Sequence, residues 1–105
     1  MRRKARKEGK TGPPASALTV MRLYISDNAP NSVQAVANLA AICKEYLEER
    51  FTLEVIDVLE EPLRALADGI IVTPSLTKVS PMPAAKIVGN LGEKSDVLIA
   101  LGIKA

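Results

Sequence analysis

Apolar residues crowd the stretch from Leu18 to Ser26 on both alternating faces, with Arg22 the main interruption. A strand covered on both sides reads this way, so the pattern predicts a central β-strand. Asp27 to Pro30 reads as a turn, and Asn31 with Gln34 three residues on approximates a capping box behind a proline suited to a first helical turn. Val36, Leu39, Ala40, Cys43, Tyr46 and Leu47 then recur at helical spacing, predicting a helix with one buried stripe that ends near Glu49. Phe51, Leu53 and Val55 alternate with Thr52 and Glu54, the pattern of a half-exposed strand at a sheet edge. One helix between two strands implies a right-handed crossover and parallel neighbours.

In the second half, Glu60-Glu61-Pro62 places acids at the positive end of a short helix that runs to about Asp68 and stops before Gly69. Ile70 to Thr77 and Ala85 to Val88 read as a third and a fourth strand joined by a Pro81-Met82-Pro83 turn, and Glu93 to Leu101 as a last helix. Pro74 falls inside the third apolar run. Proline fixes φ and cannot donate to a sheet ladder, so this one marks a strand edge, with a cis bond expected. The order is βαβαββα, one α/β domain over residues 18–105.

Charge divides the chain differently from hydrophobicity. Residues 1–17 carry Arg2, Arg3, Lys4, Arg6, Lys7 and Lys10 against Glu8, which is +5, while the remainder has eight basic and eleven acidic residues, which is −3. With its glycines and prolines and almost nothing to bury, the segment 1–17 is expected to be a disordered basic tail. Such a run can hold polyanions by counterion release, although most charged tails only solubilise. Three aromatic residues, Tyr24, Tyr46 and Phe51, supply no stacking array for single-stranded nucleic acid, so no specific nucleic-acid partner is expected. No apolar run reaches membrane-spanning length and no signal-peptide core is present, which suits a cytoplasmic protein.

The residue inventory removes most catalysis. There is no histidine and one cysteine, so no intramolecular disulfide, no ordinary zinc set and no histidine base can be built, and no metal or cofactor is expected. Thiol chemistry needs a cysteine where the first helix begins, since the helix dipole lowers its pKa there; the residues present are Asp27, Asn28, Ala29, Pro30 and Asn31. Cys43 falls on the buried stripe, where a small apolar filler is the ordinary reading. The acids Glu45, Glu48, Glu49, Glu54, Asp57, Glu60 and Glu61 read as solvated surface, with Asp57 alone in an apolar run.

Five runs in order, Leu23-Tyr24-Ile25, Ala29-Pro30-Asn31-Ser32-Val33, Val55-Ile56-Asp57-Val58-Leu59, Thr73-Pro74-Ser75-Leu76 and Lys86-Ile87-Val88-Gly89-Asn90-Leu91, resemble the KaiB clock-protein family from about Leu18 to Ile103. The resemblance implies a thioredoxin-like domain that is not an enzyme and that binds a KaiC-type ring ATPase, with KaiA or a sensor histidine kinase as further partners. It further implies two folds: a thioredoxin-like monomer and a differently paired resting homotetramer. On this reading Tyr24, Asn31, Lys44, Glu54, Asp57 and Lys86 are the candidate partner surface, and Pro74, Pro81, Pro83, Gly89 and Asn90 are the fold-switch positions. The chain departs from the family's three-proline run at Met82 and from its usual Asp at Asn90. Basic residues typical of the family are Glu60 and Ala85 here. The competing reading is a divergent thioredoxin-like thiol or peptide binder without a CxxC pair.

Overall fold

The computed structural model describes residues 18–103. The expected basic tail, residues 1–17, lies outside the described residues. The elements are β1 (Thr19–Ile25), α1 (Pro30–Ile42) continued by a π-helical turn (Cys43–Leu47), β2 (Phe51–Asp57), α2 (Pro62–Ala67), β3 (Ser75–Ser80), β4 (Ala85–Val88) and α3 (Lys94–Leu101). They form a four-stranded sheet in the order β2-β1-β3-β4. β1 is interior and pairs parallel to β2, Thr19 opposite Phe51 and Ile25 opposite Asp57, as the crossover argument requires. β3 runs antiparallel to both β1 and β4.

The two sheet faces are covered unequally. Met21, Leu23 and Leu76 form the main core with Ala35, Leu39, Ile42, Cys43 and Leu47 of the first helix and with Val97, Leu98 and Leu101 of α3. On the other face Tyr24 and Ile56 meet Ala65 of α2, a much smaller cluster. Burial of apolar area drives both, and the larger cluster dominates. Lys78 is buried among the strands, and its ammonium lies beside Gly102 at the end of α3, where the helix dipole favours a cation.

Several boundaries differ from the sequence reading. The buried stripe of α1 runs through Ser32, Ala35, Leu39 and Ile42, while Val36 and Ala40 are exposed. The face is set by the 32-35-39-42 rows, which rotate those two onto the flank. No Asn31–Gln34 capping box forms: Ala29 is the N-cap without a side-chain bond, and Ser32 Oγ accepts the Ser26 N–H at 3.0 Å. The third strand begins at Ser75 rather than Ile70. α2 closes through Gly69 at φ 71, with the Ile70 N–H on the Ala65 carbonyl at 2.8 Å. The chain then spends Ile71 to Thr73 returning to the sheet, and Pro74, lacking an N–H, cannot open the ladder. Thr73–Pro74 is cis, as are Ser80–Pro81 and Met82–Pro83. Val55, expected to face the core, is exposed.

Candidate functional site

The place where a thioredoxin-like fold would do thiol chemistry is the β1–α1 turn beside Pro74. Here Ser26 Oγ and Thr73 Oγ1 share a 2.6 Å hydrogen bond, and Ser32 is fully buried beneath. Hydroxyls brace the turn from its flanks, and the turn itself carries no thiol. Cys43 is buried in the main core, and burial pushes its thiol up to about 11. A thiol held so far from ionising is a poor nucleophile. Among the described residues no group of histidine, cysteine and carboxylate side chains could hold a metal ion.

The six candidate partner residues do not gather into one site. Asn31 stands exposed at the start of α1 and Lys44 on its π-helical turn. Glu54 is on the outer strand β2, gripped by Arg64 through two bonds of 2.5 and 2.8 Å, which hold its carboxyl below its usual pKa. Asp57 ends β2, and its Oδ1 accepts the Leu59 N–H at 2.9 Å, the bond of an Asx turn. Lys86 lies on β4 at the opposite edge and donates to the Asp68 carbonyl at 3.0 Å. Tyr24 is not a surface residue at all: it is fully buried, and its hydroxyl donates to Asp68. A buried tyrosine needs an acceptor for its hydroxyl, and the sequence offers no sign of which acid supplies it. Asp68 also takes Arg22 at 2.9 Å, so it joins β1, β4 and the end of α2.

Pro74, Gly89 and Asn90 gather at the open end of the β3–β4 hairpin, while Pro81 and Pro83 lie at its closed end. Pro74 is buried, and the Gly89 N–H reaches its carbonyl at 2.9 Å. Gly89 has φ 122, a conformation that disfavours any side chain. Asn90 ties the β4–α3 loop to α1: it donates to Gln34 Oε1 at 2.8 Å, accepts from Asn38 Nδ2 at 2.8 Å, and its Oδ1 holds the Gly92 N–H at 2.9 Å. Pro81 and Pro83 bracket the β3–β4 turn.

The sequence reading missed the segment from Leu59 to Val72. α2 buries only Ala65, while Leu63, Leu66, Leu59, Ile71 and Val72 are exposed, Ile71 at 94%. Five large apolar side chains in one short exposed segment are far from the scattered exposure normal on a surface. Their one legible sign is an α2 sequence, PLRALA, with more leucine than one short buried face can use.

The architecture therefore defines a class: a thioredoxin-like α/β domain with no thiol at the start of its first helix and with apolar surface on one short helix. Solved structures agree on the fold. The N-terminal domain of Synechococcus elongatus SasA superposes with a TM-score of 0.68 at 20% identity, over 91% of this chain and 94% of that one. Chloroplastic thioredoxin z gives 0.69 at 18% identity, over 81% and 76%. The KaiB domain matches residues 22–103. The circadian clock protein KaiB3 of Synechocystis sp. is 45% identical over 84 residues, covering 80% of this chain and 82% of its own length. The circadian clock oscillator protein KaiB of Microcystis aeruginosa is 44% identical over 84 residues, 80% and 81%. The chain belongs to the KaiB family.

Proposed function

We propose that this chain is a non-enzymatic interaction module of a KaiB-type timing system. It binds a KaiC-type ring ATPase through the surface of residues 59–72, with KaiA or a sensor histidine kinase as a further partner on the β2 edge. The observation that carries the reading is the exposure of Leu59, Leu63, Leu66, Ile71 and Val72 around a helix that buries a single alanine. Apolar surface of that kind supplies the dry centre that protein interfaces need. The outer edge of β2 is the natural place for a second partner, because an edge strand leaves backbone donors and acceptors unpaired. The absence of a reactive thiol at the start of α1 supports a binding role over a redox one.

The reading includes two arrangements of the chain: the thioredoxin-like one as monomer, and a resting homotetramer in which residues 70–101 pair differently. Pro74, Pro81, Pro83, Gly89 and Asn90 sit at the connections that change. Titration calorimetry with a KaiC-type ATPase tests the docking surface. Leu63→Ser with Leu66→Ser should leave the fold intact, both side chains being exposed, and weaken binding by at least ~10-fold, about 1.4 kcal/mol. Undiminished affinity of the folded double variant would remove residues 59–72 from the interface.

A further inference from the structure

A groove of about 510 Å³ opens between the end of the first helix and the start of β2, lined by Ala40, Cys43, Lys44, Glu48, Glu49, Phe51 and Leu53. Its floor is apolar, and two of its three charged walls are carboxylates. The groove sits where residues 1–17 leave the domain: Thr19 pairs opposite Phe51, and the Thr19 N–H donates to the Arg50 carbonyl at 3.1 Å.

We propose that the groove is the docking site of this chain's own segment 1–17. Three observations converge on that occupant. The first is position, since the segment begins two residues before Thr19, beside the groove's rim. Extended, it spans up to ~60 Å, more than the 40 Å longest dimension of the molecule. The second is charge. The segment carries +5 against −3 on the rest of the chain, and the groove presents Glu48 and Glu49 against Lys44. Arg50 does not line the groove.

The third is the kinds of residue the segment offers. Thr11-Gly12-Pro13-Pro14-Ala15-Ser16-Ala17, the stretch nearest Thr19 in sequence, contains small apolar groups and two proline rings suited to Phe51 and Leu53. Glu48 and Glu49 directly precede Arg50, beside the point where the segment leaves the domain, and Lys10 and the cations before it are tethered within reach of them. Pro13 and Pro14 have no N–H, so this stretch does not extend the sheet along β2; it fills the groove as extended, polyproline-like chain. Docked there, the segment stands beside the exposed edge of β2 and competes with whatever approaches that edge.

The experiment uses the full chain carrying Ala5→Cys, modified at neutral pH with a nitroxide under conditions in which the parent chain, with its buried Cys43, takes up no label. Amide spectra should lose most of their intensity at Lys44, Glu48, Glu49, Phe51 and Leu53. The signals should return in 1 M salt, where charges are screened beyond ~3 Å, and in a folded Glu48→Lys, Glu49→Lys variant. Even broadening over the whole domain, broadening centred on another face, or none would overturn the proposal. Loss seen only when nitroxide-bearing and isotope-labelled chains are mixed would also overturn it, placing a second copy in the groove.

Discussion

Tyr24 donates its phenolic hydrogen to Asp68, linking the interior strand to the end of α2 across forty-four positions of sequence. Burial first, and the Asp68 bond second, push the Tyr24 hydroxyl up to about 12. The Tyr24 bond first, and Arg22 after it, hold the Asp68 carboxyl below its usual range. The pair is the polar anchor of the smaller core, and its two ends make stability depend on pH in opposite directions.

Tyr24→Phe should destabilise the domain by roughly 1.5–3 kcal/mol, the ordinary worth of a hydrogen bond to a charged group. Asp68, with its depressed folded pKa, contributes fully above the unfolded carboxylate value of ~4, and the contribution is lost as pH falls toward the folded value. Tyr24, with its raised pKa, contributes fully below ~10 and loses that contribution as pH rises through about 12. Denaturant midpoints against pH should therefore fall at both ends in the native chain, with the alkaline limb reduced and the acid limb shallower in the variant. Identical profiles would show that the pair is thermodynamically silent.

Cys43 should not react with Ellman's reagent at pH 7.5 until the chain unfolds, because its buried thiol ionises only near 11. Cys43→Ser places a hydroxyl in the main core and should cost about 1–3 kcal/mol. Rapid native-state labelling, or insulin reduction that depends on Cys43, would restore the thiol-based reading.

Asn90→Asp removes the Nδ2 donor to Gln34 and sets a carboxylate against the Gln34 carbonyl, while the Gly92 N–H keeps its acceptor. The thioredoxin-like arrangement should lose about 1 kcal/mol. Combined with Met82→Pro, the change should raise the population of the proposed tetrameric arrangement. Sedimentation reads the assembly state and amide spectra of residues 70–101 the pairing; an unchanged ratio would mean that these positions do not set the balance.

The Glu54–Arg64 pair is well formed but solvent-exposed, and exposed ion pairs contribute little because water already screens them. Glu54→Gln should leave the unfolding midpoint unchanged within error. If the β2 edge captures a partner, the same variant should alter that partner's association rate and its salt dependence, since rim charges act chiefly on encounter.

Sequence alone determined the element order, the interior position of β1, the edge position of β2 and the parallel crossover between them. Each follows from local periodicity or from chain handedness, and Leu23, Phe51 and Leu53 carry those signals directly. The missing thiol at the α1 start was equally legible, because absence of a residue type needs no geometry. Only the tertiary structure decided that Tyr24 points inward to Asp68 and that Val36 lies on a flank, since helix phase and the choice of sheet face depend on what packs from elsewhere in the chain. It alone decided that Ile71 and Val72 are spent on a return loop, because the start of β3 is set by where α2 closes and by Pro74's missing donor. The apolar surface of α2 was hidden for the same reason: a leucine's environment is a property of its neighbours in space, and α2 is too short to bury all that it carries.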